Sequence, residues 1–169
     1  MLKCCSESRF YIQFPAPCGL VTLVANKAGE VVSIHLEGMA RNIDDLVLGL
    51  KKNNVILKQA KLELEEYFKG MRKSFSFKVH LQGTEFQRKV LKKLKGITYA
   101  QTATYLELAE LAGNRKAARA VGSAIGRNIL PVYYPCHRIV GSNGKWTGFN
   151  AGLAWKRFLL DLEANSHRS

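Results

Sequence analysis

The hydrophobic periodicity of this chain changes at Leu81-Gln82-Gly83, and that change constrains its fold more than any other feature. Before this point, short segments rich in β-branched and aromatic side chains alternate with turn residues, which is typical of antiparallel strands. The predicted strands are residues 9–14, 20–25, 31–36 and 74–79, with a hairpin turn at 26–29. A helix is predicted before the last strand, with Gly70 at its end and one apolar face formed by Leu57, Ala60, Leu64, Tyr67 and Phe68.

After Gly83 the apolar side chains recur with helical spacing. The segments 84–87 and 104–107 both match a capping box, in which a threonine caps the helix and a Gln or Glu reaches back to it. Gly113-Asn114 breaks the second helix, a third covers residues 115–126, and a last one runs from Gly152 to Glu163. The side chains predicted to point inward are Phe86, Val90, Leu94, Leu108, Leu111, Ala112, Ala117, Val121, Ala124, Ile125, Trp155, Phe158, Leu159 and Leu162.

These elements predict an α+β fold with two domains. Residues 1–82 would form the antiparallel sheet with its helix, and residues 83–169 a mostly helical domain with a helix-turn-helix. The apolar fraction of 47% is ordinary, and no apolar run approaches the ~18 residues that a membrane span needs. The start of the chain lacks the pattern of a signal peptide, so we expect an intracellular protein of the cytoplasm or nucleus.

The charge balance points to a polyanionic partner. The chain carries 26 Lys and Arg against 13 Asp and Glu, a net charge of +13. From Gly83 onward there are 14 basic and 5 acidic residues, whereas residues 1–82 contain 12 and 8. Coulomb attraction and counterion release draw such a surface to nucleic acid, and the second half is then the expected contact. A basic surface without a partner is the alternative.

The chain has four cysteines and no disulfide framework. The cysteines are Cys4, Cys5, Cys18 and Cys136. The first three, together with His35 and His80, could form a zinc site, but no CxxC or HxxxH spacing supports one. We therefore expect no bound metal.

Two short helices joined by Gly113-Asn114 have the shape of a helix-turn-helix. The predicted outer face of the second helix carries two arginines and very small residues, namely Arg115, Arg119, Gly122, Ser123 and Gly126. Small residues let the backbone approach another surface closely, and arginines can pair with phosphate or enter a base stack. The same pattern fits a tight contact between two helices, and the sequence leaves both interpretations open.

The segment from Tyr133 to Val140 contains the candidate nucleophile. Cys136 precedes His137 and Arg138, whose positive charge would lower the pKa of the thiol and favour the reactive thiolate. In a regular strand Cys136 and His137 face opposite ways, so His137 could act on the thiol only at a bend or through water. A buried, unreactive cysteine is the alternative.

Glu163 falls in line with Leu159 on or beside the apolar face of the last helix. A carboxylate in that position needs a partner, and His137 or Arg138 would suit it. That pairing would complete a Cys–His–Glu relay, whereas a solvated glutamate at the helix end is the other interpretation.

At Pro135-Cys136-His137-Arg138, taken with the helices before it, the sequence resembles the O6-alkylguanine-DNA alkyltransferases, also called methylated-DNA–protein-cysteine methyltransferases. The resemblance covers essentially all of residues 83–163 and is looser in the first half. It is carried by residues 83–87, Tyr105, 117–122, Asn128, 135–140, 152–156 and 159–163, with landmarks at 17–20 and 66–70.

The resemblance implies a role for each matching residue of the acceptor site. Cys136 would accept the alkyl group, His137 would be its water-linked base, and Glu163 would orient that base. Asn128 would brace the cysteine segment, and Tyr105 would help to rotate the nucleotide and assist the leaving guanine. The implied reaction is a single, irreversible transfer from O6-alkylguanine, or from O4-alkylthymine, and needs no cofactor.

The resemblance also implies how the protein contacts DNA. A monomer would bind the minor groove of double-stranded DNA, with Arg119 entering the base stack. Arg115, Gly122 and Ser123 would lie near the DNA backbone. The pocket for the flipped base would be formed by Ile139, Phe149, Asn150 and Ala151.

Some residues depart from the family pattern. Thr98, Ala100 and Ile129 stand where the family has proline or glycine, and Phe149-Asn150-Ala151-Gly152 replaces Tyr-x-Gly-Gly. The methyl group of Ala151 is expected to narrow the base pocket, because glycine is the residue that lets main chain approach a ligand closely. We therefore expect discrimination against bulky adducts.

Other classes of protein fit parts of the pattern. An alkyltransferase-like protein would bind DNA damage without repairing it, but such relatives lack the acceptor cysteine that is present here as Cys136. A helix-turn-helix regulator would ordinarily bind paired half-sites as a dimer. A cysteine hydrolase is a third alternative, although no oxyanion-hole motif is evident.

Overall fold

The N-terminal half is built on a four-stranded sheet. The structure is a computed structural model that describes residues 9–40, 42–146 and 148–168. The strands are β1 (Phe10–Ala16), β2 (Gly19–Ala25), β3 (Val31–Leu36) and β4 (Lys51–Lys52), in the order β3-β2-β1-β4. β1, β2 and β3 pair antiparallel as predicted, whereas β4 pairs in parallel with β1. The polar two-residue β4 has no strand pattern in the sequence and was not predicted.

Asn26 organises the predicted hairpin turn between β2 and β3. Its Oδ1 accepts hydrogen bonds of 3.0 Å from the backbone N–H groups of Ala28 and Glu30. Gly29 has a φ of 78°, a left-handed conformation that glycine adopts without strain. The turn is confirmed, and its side-chain bond explains why asparagine begins it.

Helix α1 (Ile43–Val47) lies between β3 and β4, and helix α2 (Lys58–Phe68) follows β4. The apolar face predicted for α2 is buried, from Leu57 just before the helix to Phe68 at its end. Gly70, with a φ of 74°, ends the helix because its N–H donates to the carbonyl of Tyr67. The short helix α1, which Asn42 caps, was not predicted.

Residues 74–79 do not form the predicted strand. Of these residues, only Val79 bridges to another strand, at Val31 in β3. The rings of Phe75 and Phe77 pack on Tyr133 of the C-terminal half, with ring centroids 6.1 and 5.2 Å away. The polar–apolar alternation therefore reflects aromatic packing between the two halves of the chain and not a strand ladder.

The C-terminal half is mainly helical, as predicted. Its elements are α3 (Glu85–Leu94), β5 (Ala103–Thr104), α4 (Tyr105–Leu111), α5 (Ala118–Gly126), β6 (Ile139–Val140) and α6 (Leu153–Arg168). A 3-10 turn, Arg115–Ala117, precedes α5, and another, Cys136–Arg138, precedes β6. The prediction that the last helix ends at Glu163 is wrong, since α6 continues to Arg168.

Of the two predicted capping boxes, one is complete. Thr104 accepts from the N–H of Glu107, whose carboxylate accepts from the Thr104 N–H at 2.6 Å. Thr84 also caps its helix, but the side chain of Gln87 turns to the carbonyl of Arg127 at 3.5 Å instead of reaching back. The helix start at Thr84 is confirmed, and the reciprocal bond is not.

Three side chains predicted to point inward do not lie in the core. Phe86 is 38% and Leu111 54% exposed, and Ala117 is only half-buried. In α4 the buried face instead passes through Leu108 and Ala109. A seven-residue helix presents too few turns for its inward direction to be read from spacing alone.

A single hydrophobic core extends through both predicted domains. Backbone and side-chain hydrogen bonds also join them: Ile34 N–H donates to the Ile129 carbonyl at 2.9 Å, and Trp155 Nε1 donates to the Glu37 carbonyl at 3.0 Å. In the part of the chain that the structure describes, no helix is both long and apolar enough to cross a membrane. The division at residue 83 remains a prediction.

Candidate active site

Cys136 lies at a sharp bend of the backbone. Pro135 has φ −77° and ψ 66°, and the Cys136 N–H donates to the Tyr134 carbonyl at 2.7 Å. Residues 136–138 form one 3-10 turn, in which the Arg138 N–H donates a hydrogen bond of 3.0 Å to the Pro135 carbonyl. The side chains therefore do not alternate as they would in a strand, and the bend that His137 requires is present.

Asn128 links the sulfur to the backbone of this bend. Its Nδ2 donates to the Tyr134 carbonyl at 2.9 Å and to Cys136 Sγ at 3.2 Å. Its Oδ1 accepts from the Leu130 N–H at 3.0 Å. Asn128 is buried, and it supplies the acceptor for the Leu130 N–H and a second donor for the Tyr134 carbonyl, which also accepts from the Cys136 N–H.

His137 is fully buried and contacts the carboxylate of Glu163. The distance from Nε2 to Glu163 Oε1 is 2.7 Å. Because an ionised carboxylate only accepts hydrogen bonds, the network assigns the proton to Nε2 and leaves Nδ1 with a lone pair. Nδ1 has no hydrogen-bond partner within the described ranges. Nδ1 is therefore the nitrogen of this imidazole that could accept a proton.

Glu163 is held by donors from three segments of the chain. Arg138 donates to both carboxylate oxygens, at 3.0 Å from Nε to Oε2 and 2.9 Å from Nη2 to Oε1. Ala100 N–H donates to Oε2 at 2.9 Å, and the Tyr67 hydroxyl donates to Oε1. Burial opposes ionisation, but the hydrogen bonds from His137 and Arg138 and the positive charge of Arg138 outweigh it and lower the pKa of Glu163 to about 2.

The expectation that neighbouring cations lower the pKa of Cys136 is wrong. Burial raises that pKa to about 11, and the Asn128 hydrogen bond and the Lys156 charge offset the rise only in part. Burial also lowers the pKa of His137, against the effect of Glu163, so the imidazole is neutral. Arg138 is turned towards Glu163. At neutral pH the resting site therefore contains a protonated thiol and a neutral imidazole.

Lys156 is a buried cation that the sequence analysis did not assign to the site. Its Nζ donates to the Ile139 carbonyl at 2.5 Å, and burial lowers its pKa while the Cys136 charge raises it. Lys156 lies seven residues before Glu163, two helical turns away on the same face of α6. That spacing was the available signal that a cation points inward there.

A cavity of about 300 Å³ opens at Cys136. Tyr105, at the start of α4, and Gly122, on α5, form part of its wall. Its remaining lining residues are Ile125, Gly126, Gly148, Phe149 and Asn150. Of the predicted pocket residues, Ile139 and Ala151 are buried but do not line this cavity. The Ala151 carbonyl instead faces Gly38 of the N-terminal half.

The helix-turn-helix formed by α4 and α5 leaves its predicted outer face open. Arg119, Ser123 and Gly126 are exposed, while Gly122 lies against the ring of Tyr105. Arg115 is also exposed, but its guanidinium pairs with Glu110 at 2.9 Å. Exposure of this face favours contact with an external surface over the alternative of helix–helix packing.

Within the described ranges, no three His, Cys, Asp or Glu side chains come together in a way that could hold a metal ion. Cys4 and Cys5 of the zinc hypothesis lie outside these ranges. The other three candidate ligands have protein neighbours: Cys18 lies 4.0 Å from the Ala154 carbonyl, His80 lies 3.6 Å from Glu30, and His35 is buried in β3.

Two models of one protein family match nearly the whole chain. Residues 10–81 match the ribonuclease-like domain of 6-O-methylguanine DNA methyltransferase, and residues 85–165 match its DNA-binding domain. The chain belongs to the 6-O-methylguanine DNA methyltransferase family. The two matched segments adjoin at the position where the hydrophobic periodicity changes.

Relatives of this family are similar over almost their full length. The methylated-DNA–protein-cysteine methyltransferase of Methanosarcina acetivorans is 40% identical over 92% of this chain and 99% of its own. The methylated-DNA–protein-cysteine methyltransferase of Methanosarcina mazei is 46% identical over 93% of this chain and 98% of its own. The crystal structure of Mycobacterium tuberculosis OGT in complex with DNA has a TM-score of 0.85, with 33% identity over 93% of this chain and 94% of that chain.

In this member of the methyltransferase family, two further contacts to Glu163 were missed by the sequence analysis. The sequence pattern places Tyr67 only on a core face of α2, and it marks Ala100 only as a departure from a family glycine. Ala100 has a φ of 63°, which explains why glycine suits the position. Tyr67 lies 96 residues before Glu163, and no sequence spacing joins the two.

Proposed function

We propose that this protein repairs alkylated guanine in double-stranded DNA by moving the alkyl group, once and irreversibly, to Cys136 Sγ. The observation that carries the proposal is the cavity at Cys136, whose wall includes two residues of the helix-turn-helix, Tyr105 and Gly122. Its size of about 300 Å³ is at the lower end of small-ligand sites. A flipped base would enter next to the surface that contacts DNA.

Binding would use the exposed face of α5 in the minor groove. Arg119 is exposed there and would enter the stack that the damaged base leaves, offsetting an unstacking cost of a few kcal/mol. Arg115 would exchange Glu110 for a phosphate, and Ser123 would lie near the backbone. The small residues of this face permit close approach. One protein molecule would act on one lesion, inside the cell where the DNA is.

The reaction begins with a proton transfer inside the site. His137 Nδ1 would take the thiol proton, directly or through one water, and Glu163 would stabilise the imidazolium through Nε2. Lys156 and Asn128 would stabilise the thiolate, because both already act on the sulfur in the resting site. This coupling matters because a thiol with a pKa of about 11 is scarcely ionised on its own at neutral pH.

The alkyl group would then move by a single displacement. Sγ attacks the alkyl carbon, the S–C bond forms, and the bond from that carbon to guanine O6 breaks. The guanine leaves with the electron pair and gains a proton, for which the Tyr105 hydroxyl at the cavity wall is the candidate donor. No step of this scheme cleaves the resulting thioether, so each molecule would react once.

Intact-mass measurement tests this function. We expect duplex DNA with O6-methylguanine to add one methyl group per protein molecule, and peptide mapping to place it on Cys136. The Cys136→Ser variant should bind the duplex without gaining mass, and a Cys18→Ser control should still be methylated.

Other outcomes would favour other classes of protein. Binding of methylated DNA with no mass gain would indicate a damage-binding protein. Equal binding to undamaged paired half-sites as a dimer, again without mass gain, would indicate a helix-turn-helix regulator.

A further inference from the structure

Tyr67 belongs to α2 in the N-terminal half, yet its hydroxyl contacts the acceptor site of the C-terminal half. It donates to Glu163 Oε1 and lies 3.4 Å from His137 Nε2. Glu163 Oε1 is the oxygen that also accepts from His137. Tyr67 therefore shares the carboxylate oxygen on which the orientation of the imidazole depends.

Packing leaves the Tyr67 ring little freedom. The residue has no exposed surface. The rings of Phe75 and Tyr99 lie against it, with centroids 5.2 and 6.0 Å away. A side chain held in this way directs its hydroxyl to one place. There the hydroxyl meets the Glu163 carboxylate, across the interface between the two halves of the chain.

The hydroxyl acts as a donor throughout the reaction. Burial, together with the negative charge of Glu163, raises the pKa of Tyr67 well above its ordinary value. Tyr67 therefore keeps its proton at every pH at which the protein would work. The bond to Glu163 has one direction, from Tyr67 to the carboxylate.

We propose that Tyr67 is a positioning residue for alkyl transfer: its hydroxyl fixes Glu163 Oε1 against His137 Nε2 and withdraws carboxylate charge that would otherwise favour the protonated imidazole. The inference rests on the proposed function of His137 as the base. It gives the N-terminal half a direct part in the chemistry of the acceptor site.

Several other groups act on His137, and they must be separated from Tyr67. The charged or titratable groups around the imidazole and its carboxylate are Glu163 and Lys156 from α6, Cys136 and Arg138 from the 3-10 turn, and Tyr99 behind Tyr67. Tyr67→Phe removes one oxygen from this set and leaves the ring that fills the core. Tyr99→Phe is the matched control, because Tyr99 packs on the same ring and does not donate to Glu163.

The first readout is the pKa of His137, measured by NMR on ¹⁵N-histidine-labelled protein without DNA. Loss of the Tyr67 donor makes Glu163 more basic, so in Tyr67→Phe we expect the His137 pKa to rise by about 0.5 to 1 unit. The second readout is the single-turnover rate of methyl transfer between about pH 5 and pH 9. We expect its acidic limb to move to higher pH by the same amount and the plateau to fall roughly tenfold, because the base is less well held.

The proposal requires both changes in Tyr67→Phe and neither in Tyr99→Phe. An unmoved His137 pKa overturns it whatever the rate does, since a loss of packing alone would leave the pKa in place. A plateau at the wild-type rate, or the same shifts in Tyr99→Phe, also overturns it.

A second variant covers the case in which Tyr67→Phe does not fold. Difluorotyrosine at position 67 keeps the ring and the hydroxyl and makes the hydroxyl a stronger donor. We expect the His137 pKa to fall, and no change or a rise would overturn the proposal. The titration uses no DNA, so it still reports on Tyr67 if the mass assay fails and Cys136 is not the acceptor.

Discussion

Asn128 Nδ2 lies 3.2 Å from Cys136 Sγ and 2.9 Å from the carbonyl of the residue two positions before that cysteine. One buried amide thus sets the place of the sulfur and the shape of the bend that presents it. The same contact partly offsets the effect of burial on the pKa of the thiol. Geometry and proton affinity at Cys136 therefore depend on a residue eight positions away.

Asn128→Ala should weaken both the fold and the reaction. The buried Leu130 N–H would lose its acceptor and the Tyr134 carbonyl would lose one of its two donors, at a cost of about 2 kcal/mol in the free energy of unfolding. The thiol would also lose a donor, and we expect transfer at least about tenfold slower. Urea unfolding and single-turnover rates check this. Asn143→Ala is the control, because Asn143 is exposed, and it should change stability by less than about 0.5 kcal/mol.

The pH dependence of transfer should identify the base. Burial lowers the pKa of His137 and raises that of Cys136 to about 11. At a pH between these two pKa values, the thiol is protonated and the imidazole is neutral. Moving the proton from the thiol to the imidazole leaves the number of bound protons unchanged, so the wild-type rate should be flat from about pH 7 to pH 9. It should fall only as acid protonates His137.

In His137→Gln the thiol must ionise to solvent. Its rate should then rise roughly tenfold per pH unit over the same range, because the pKa of Cys136 lies above it. Single-turnover assays in overlapping buffers compare the two slopes. A wild-type rate that already rises tenfold per unit would show that no base assists Cys136.

Arg119→Ala should separate base flipping from chemistry. Arg119 is exposed on α5 and, unlike Arg115, pairs with no acidic side chain of the described residues. Loss of a stack-filling side chain should slow methyl transfer from duplex DNA about ten- to hundredfold. Transfer from the free alkylated base needs no flipping and should change less than about twofold. Equal losses on the two substrates would contradict the assignment of Arg119.

Ala100→Gly should stabilise the protein. Ala100 has a φ of 63°, a left-handed conformation that costs a residue with a Cβ roughly 1–2 kcal/mol. Glycine loses more backbone entropy on folding than alanine does, and this loss offsets part of the relief. We therefore expect the free energy of unfolding to rise by about 0.5–1 kcal/mol. Urea unfolding measures it. Ala120→Gly, in the middle of α5, is the control. It should have the opposite effect and lower the free energy of unfolding by about 0.5–1 kcal/mol.

The sequence predicts the parts of the site that are close along the chain or share a helix face. Cys136 and His137 are adjacent, and Glu163 is in line with the buried Leu159, so the spacing indicates an inward carboxylate, which in the structure contacts His137. The three antiparallel strands follow from alternation and turn residues in the same way. The alternation at residues 74–79 misleads, because its apolar side chains meet Tyr133 and not a strand partner.

What the sequence does not predict depends on burial and on contacts between distant segments. Adjacent cations suggested a low thiol pKa at Cys136, but burial outweighs them and raises it. Tyr67 lies 70 residues before His137, and only the folded chain brings its hydroxyl to the relay. Proton affinities and shared donors are thus properties of the packed interface between the two halves.

The cavity also changes which residue is expected to limit adduct size. Ala151, where the family has glycine, is buried with its carbonyl towards Gly38, and its φ is not left-handed. Asn150 lines the cavity beside Phe149. Overpacking of a closed site costs about 1–3 kcal/mol, which corresponds to a roughly ten- to hundredfold slower reaction with a bulky adduct. The wall residue Asn150, and not Ala151, should therefore determine that penalty.

Asn150→Gly should raise the ratio of benzyl to methyl transfer rates at least about tenfold, because it removes side-chain volume from the wall. Ala151→Gly is the adjacent control and should leave that ratio within about twofold of wild type, since its side chain does not face the cavity. Second-order rates for O6-benzylguanine and O6-methylguanine in the three proteins decide between them. If Ala151→Gly relaxes the discrimination and Asn150→Gly does not, the loop that closes over the base lies differently when substrate is bound, and Ala151 is the residue that excludes bulky adducts.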